Sequence, residues 1–276
     1  MLVGQIMFSL PGTTFVSIAH LGDKLTNNQI QEVIFTKPIY FLLVQGGGTF
    51  GALAATLVAY RALNKKQPSD IGLKGPIKDL FFGVTLGIVA MSIAFFILLL
   101  SKQITIHASF KISTFTFIYL FVFILVGIFE EVFFRGYIMR TMEMNHNHKA
   151  TVYLVSALIF SIFHLGNPNV SLTGLVNIVL VGILFAYMFD VTKSLLLPIG
   201  YHIMWNFFQG GIFGFPVSGI PPEGIIKIDI SHGSHWLTGG AFGVEGGLVA
   251  TLVIVLSFIA TYLYSKNNKR EHIRLV

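Results

Sequence analysis

Two adjacent carboxylates, Glu130 and Glu131, and one guanidinium, Arg135, interrupt an otherwise apolar run in the stretch Gly-Ile-Phe-Glu-Glu-Val-Phe-Phe-Arg-Gly-Tyr, Gly127 to Tyr137. A charge at mid-membrane costs roughly 2.5–3.5 kcal/mol on insertion scales, so three together call for a protein-lined cavity. Neighbours on a helix diverge by about 100°, so the two glutamates cannot point at one spot. Arg135 is i+4 from Glu131 and shares its face. A buried structural ion pair would therefore account for Glu131 and Arg135 but leaves Glu130 unexplained. A carboxylate held in a cavity of low dielectric can work as a general base or acid.

Further polar groups lie in later apolar runs. His164 ends the run that begins at Ala150, and His202 and Asn206 lie in the run Leu195 to Phe208. Taken singly, each histidine is more often a satisfied core residue than a catalyst. Asn206, however, is i+4 from His202, so a ring N–H and an amide NH₂ share one face. Such a pair can stabilise a developing oxyanion. At about 1.5 Å of rise per residue from the nearest basic inner-edge residue, Glu131 and His202 both lie roughly 13 Å deep, Asn206 roughly 20 Å and His164 roughly 22 Å. All four depths fall in the middle band of a bilayer, where the groups could share one cavity.

The elements that must position these groups follow from composition. The chain has 276 residues, 54% hydrophobic and only 11% charged, with 27 Phe and a mean hydropathy of +0.77. Soluble domains carry about 25% charged residues, so this is an integral membrane protein. The apolar runs are long and uniform, without the alternation of barrel strands, so the spans are helices. The net charge of +6 comes from Lys and Arg in short loops between spans, where membrane topology places them, and no nucleic-acid partner is expected. The absence of Cys excludes disulfides, thiolate metal sites and cysteine catalysis.

The expected fold is all-α: a polytopic transmembrane helical bundle of seven to eight spans around a membrane-embedded active-site cavity, in a single domain over residues 1–276. Met1 to Leu21 reads as a weak first span, with a membrane-surface segment as the alternative, and residues 22–37 as a polar loop. Pro38 to Ala62 is a span in which Gly46-Gly47-Gly48 would allow a neighbouring helix to approach closely. The basic loop from Arg61 to Lys78 marks the cytoplasmic side. Leu80 to Leu100 spans outward, with a short outer loop over residues 101–112. A helix from near Ser113 to about Met144 is too long for one crossing. Asn145-His146-Asn147-His148 reads as a polar turn. Runs at 150–165, 172–189, 195–208 and 240–264 complete the spans, with a Gly- and Pro-rich outer segment over 209–239. The tail with Lys266, Lys269, Arg270 and Arg274 places the C-terminus in the cytoplasm, of a prokaryotic plasma membrane by the compact basic face.

Glu-Glu-x-x-x-Arg (130–135), Phe-x-x-x-His (160–164) and His-x-x-x-Asn (202–206), in that order on successive helices, resemble the CPBP family. Its members are the CAAX-protease and bacteriocin-processing intramembrane peptidases, related to the type II CAAX prenyl endopeptidase. Arg-Gly-Tyr after the first motif and Ser-Leu-Leu-Leu-Pro-Ile-Gly-Tyr-His before the last extend the resemblance over roughly residues 76–210. The resemblance implies a membrane-embedded endopeptidase acting on a membrane-associated peptide or protein, such as a prenylated C-terminus or a leader peptide. Glu130 with His164 would activate water, His202 and Asn206 would form the oxyanion hole, and Glu131 and Arg135 would support the site. No cofactor is favoured. The alternative is zinc held by Glu130, His164 and His202, although Asn206 is a poor zinc ligand. A non-catalytic scaffold or bacteriocin immunity protein on the same fold, and a transporter with a buried Glu/His proton chain, are the competing readings.

Overall fold

The computed structural model describes residues 12–23, 25–221 and 223–274. It is an all-α polytopic helical bundle. Among the described residues five helices are long and apolar enough to cross a membrane: α1 (Pro38–Asn64), α2 (Ile77–Leu100), α3 (Thr114–Met144), α5 (Leu172–Thr192) and Leu248–Asn268, the apolar part of α7 (Leu248–Arg274). Two shorter helices complete the bundle, α4 (Lys149–Ile162) and α6 (Leu196–Asn206), the latter running on as a π-helical turn over Phe207–Ile212. Against the expected seven to eight spans, five helices among the described residues have full spanning length. Of the first expected span, residues 1–11 lie outside the described residues, and residues 12–19 are helical.

The exterior is apolar, as lipid as a solvent requires. Phe81 on α2 and Phe117 on α3 are 63% and 66% exposed, while Glu130, Glu131 and Arg135 of α3 are buried.

The helix ends sort by charge. Asn64 at the end of α1 donates to Thr141 Oγ1 near the end of α3 at 2.7 Å. Lys78 at the start of α2 donates to Asn268 at the end of α7 at 3.0 Å. Asp190 near the end of α5 pairs with Lys149, which opens α4, and with Lys193 at 2.6 Å. These contacts gather Lys65, Lys66, Lys74, Lys78, Lys149 and Lys193 at one end of the bundle. The opposite end carries Lys102, Lys111 and Lys227 beside Glu223 and Asp229, with Lys111 3.8 Å from Glu223.

Two local expectations are corrected and a third is sharpened. Residues 22–37 are not all loop: Asn27–Thr36 is helical, started by a capping box in which Thr26 and Gln29 exchange bonds, a device that satisfies free N–H groups despite the polar sequence. The outer loop 101–112 holds a strand, Thr105–Phe110, paired antiparallel with Ile226–Asp229 from the long outer segment, Ile106 opposite Ile228. Gly46 lies against α3, where a Cβ would come within 3.9 Å of Val122 and Leu125, but tighter helix approaches occur elsewhere. A Cβ on Gly47 would meet open space, whereas one on Gly83 of α2 would strike the Leu197 carbonyl of α6 and one on Gly87 the Tyr201 carbonyl. Gly83 and Gly87 therefore let α2 press α6 into the bundle. The polar turn after α3 is as expected, and His148 in it caps α4 by accepting from the Ala150 N–H at 3.3 Å.

Candidate active site

α3 runs without a break from Thr114 to Met144, and at Val132, directly after the glutamate pair, its winding changes from α to π as far as Met139. Such π segments inside α-helices occur frequently at functional sites. The α3–α6 contact is set by Gly127, where a Cβ would lie 2.7 Å from Ile203 Cγ1. That close approach brings the glutamates of α3 against His202 of α6.

Glu131 and Arg135 form the dry half of the site. Both are fully buried, and Arg135 Nη1 donates to Glu131 Oε1 at 3.1 Å, as their spacing predicts. Arg135 Nη2 donates to the Gly182 carbonyl of α5 at 3.0 Å. The guanidinium also lies over the rings of Phe160 (4.7 Å) and Phe185 (5.1 Å), a cation–π arrangement strengthened by desolvation. A methyl group at Gly182 would press on Ala157 at 3.0 Å and reach within 3.5 Å of Arg135 Nη2, so the glycine keeps α4, α5 and Arg135 in one packed layer.

Glu131 makes a second contact that spacing alone does not reveal. Its Oε1 also lies 3.0 Å from His202 Nδ1. A carboxylate only accepts, so Nδ1 carries the hydrogen, and the ring is held with Nε2 turned toward Glu130, whose Oε2 is 3.6 Å away. Phe185 stacks on the imidazole with centroids 5.1 Å apart. His164 is oriented in the same manner: its Nδ1 donates to the Phe160 carbonyl at 2.8 Å, which leaves Nε2 as the free ring nitrogen.

Glu130, His164, His202 and Asn206 all line one partly open, mostly apolar cavity of about 70 Å³. Glu130 Oε1 is buried without a hydrogen-bond partner. A carboxylate oxygen, a ring nitrogen and a carboxamide thus converge on a space of a few waters, an arrangement suited to activating one water against a polarised carbonyl. Among the described residues no group of three His, Asp or Glu side chains is gathered closely enough to hold a metal ion.

The cavity has polar lining that motif reading missed. Asn177 on α5 donates to the Glu245 and Gly247 carbonyls at 2.8 and 2.9 Å and accepts from Thr251 at 2.6 Å, tying α5 to the start of α7. Glu245 itself lines the cavity, as do Ser218 and Gln45. A signal existed for two of them: Asn177 interrupts an apolar helix, and Glu245 is the only acidic residue between Asp229 and Glu271.

Comparison with known proteins bears on the same segment. No curated protein and no solved structure matches the chain. Residues 111–208, from the start of α3 through α6, match a family model and include Glu130, Glu131, Arg135, His164, His202 and Asn206. Through this segment, about a third of the chain, it is similar to the family described as type II CAAX prenyl endopeptidase Rce1-like.

Proposed function

We propose that the protein is an intramembrane endopeptidase that hydrolyses a peptide bond in a membrane-associated peptide or protein. The observation that carries this reading is the convergence of Glu130, His164, His202 and Asn206 on one buried cavity, with Glu131 orienting His202 from behind. In the reaction, Glu130 takes a proton from water, and the oxygen attacks the scissile carbonyl carbon. His164, its Nε2 free, assists in holding that water. The carbonyl oxygen gains charge and is met by an N–H from His202 Nε2, the ring acting as an imidazolium whose Nδ1–H stays on Glu131, and by one from the Asn206 amide, donors of the kind that stabilise a tetrahedral oxyanion. Collapse breaks the C–N bond, and the proton held by Glu130 passes to the leaving amine. Glu131 and Arg135 touch no reacting atom. They fix the ring of His202 and the course of α3.

By the positive-inside rule the lysine-rich end of the bundle lies in the cytoplasm, and the C-terminus with it. The cavity is lined from the other half of the helices, by Tyr119 near the start of α3 and Ile254 near the start of α7. The test is cleavage by purified protein of a panel of membrane-tethered peptides, prenylated and unprenylated, comparing wild type with Glu130→Ala. Cleavage by wild type and its loss in the variant support the reading. Equal cleavage by both contradicts the role of Glu130, and binding of a panel member without any cleavage favours a non-catalytic scaffold.

A further inference from the structure

The cavity wall includes a tight turn, Val217-Ser218-Gly219-Ile220, whose ends exchange bonds: Val217 N–H to the Ile220 carbonyl at 2.9 Å and Ile220 N–H to the Val217 carbonyl at 3.0 Å. Both central residues have positive φ, 49° at Ser218 and 86° at Gly219, the arrangement of a type I′ turn. Glycine is required at 219, because a Cβ there would strike the Pro168 carbonyl in the connection that follows His164. Serine at 218 has no such exemption: a left-handed residue with a Cβ is strained and persists only when its surroundings fix it.

Glu245 supplies that fixation from 27 residues away. Its Oε2 accepts the Ser218 backbone N–H at 2.7 Å, and the Ser218 hydroxyl lies 3.2 and 3.3 Å from its two oxygens. The Gly219 N–H, bound to the Phe242 carbonyl at 2.9 Å, fastens the turn a second time to the same stretch before α7. A carboxylate facing an apolar cavity is a costly way to hold a turn. Burial pushes the Glu245 carboxyl up to about 7, well above the ordinary carboxylate range. That cost is understandable where the turn it holds is part of the site. Val217, Ser218 and Ile220 share the cavity wall with Glu130 and Asn206, and both Glu245 and the turn lie beyond the family-matched residues 111–208.

We propose that Glu245 is a positioning residue of the cleavage site, latching the Val217–Ile220 turn over the cavity and so controlling how substrate enters it. The proposal rests on the endopeptidase reading for its consequence, but the latch is testable without any cleavage. The chain contains no Cys, so Val126→Cys, a cavity-wall position 2% exposed, gives a single thiol beneath the turn. In the full-length detergent-solubilised protein, Glu245→Ala is expected to raise the rate at which a small water-soluble maleimide labels that thiol by about tenfold, the scale of losing one hydrogen bond to a charged group. Glu245→Gln, which keeps an acceptor for the Ser218 N–H, should stay within about twofold of wild type. An unchanged labelling rate in folded Glu245→Ala overturns the latch. Should that variant not fold, Glu245→Leu, which preserves volume while removing the acceptors, decides by the same criterion. On a cleaved peptide, the latch predicts a changed KM with kcat held within about twofold; a fall in kcat alone overturns the positioning role even if labelling rises. A wild type that cleaves nothing leaves the labelling result standing and removes only the endopeptidase reading.

Discussion

Glu130 and Glu131 are neighbours in sequence and opposites in environment. Glu131 looks into a packed layer, where one of its oxygens serves both Arg135 and His202 and the guanidinium is sandwiched by Phe160 and Phe185. Glu130 looks into a cavity, with no cation nearer than His202 Nε2, 3.6 Å from its Oε2; each carboxylate leaves its other oxygen, Glu130 Oε1 and Glu131 Oε2, without a hydrogen-bond partner. The roughly 100° between successive helical side chains creates the division. Its lesson is that an apolar helix can carry adjacent charges at different costs: one is offset by pairing, and the other stays available for chemistry.

The sharpest way to break the comparison is on the packed side. Arg135→Ala leaves Glu131 buried without its cation, and removal of one partner from such a pair costs about 3–5 kcal/mol. A large fall in Tm in detergent is therefore expected, with loss of any activity as a consequence of unfolding. A stable Arg135→Ala protein would mean that the packed side is not what holds α3 in place. On the cavity side, Asn206→Ala should leave Tm near wild type while lowering kcat by about 10²–10³, the usual effect of losing one oxyanion donor. An unchanged kcat would remove Asn206 from the reaction.

A smaller effect concerns the second carboxylate of the cavity. Burial raises Glu245 from its ordinary 4.5 to about 7. An acid raised in the folded state costs stability only where the unfolded chain would ionise, so the cost is absent below about pH 4.5, grows with pH, and is complete above about pH 7. Glu245→Gln removes the titrating group. Its Tm relative to wild type should therefore rise between about pH 5 and pH 8. A difference that stays flat across that window would show that Glu245 does not titrate as its surroundings require.

How much of this was legible in the sequence depended on whether the signal was local. The Glu131–Arg135 pair and the His202–Asn206 face follow from i+4 spacing, and the long α3 follows from its long apolar run. The Glu131–His202 bond joins positions 71 residues apart and needs the α3–α6 packing at Gly127 before it exists. The helix Asn27–Thr36 was hidden by its polar composition, although Thr26 and Gln29 spelled its cap. The strand pair was hidden because a short edge stabilised by a distant partner leaves little periodicity. Glu245 stood in plain view as a lone acid in an apolar, Gly-rich stretch, but only the left-handed turn at Ser218 gives it a role.

The central claim is the division of labour within the glutamate pair, and the most direct measurement is a paired one. Glu130→Gln and Glu131→Gln are purified in parallel, and each is assayed for cleavage of a peptide that wild type cuts and for Tm. Glu130→Gln is expected to lose cleavage by about 10²–10⁴ while keeping the Tm of wild type. Glu131→Gln is expected to lose Tm, because Arg135 is left buried without a counter-charge. The same loss of both properties in the two variants, or cleavage that survives in Glu130→Gln, would contradict the account.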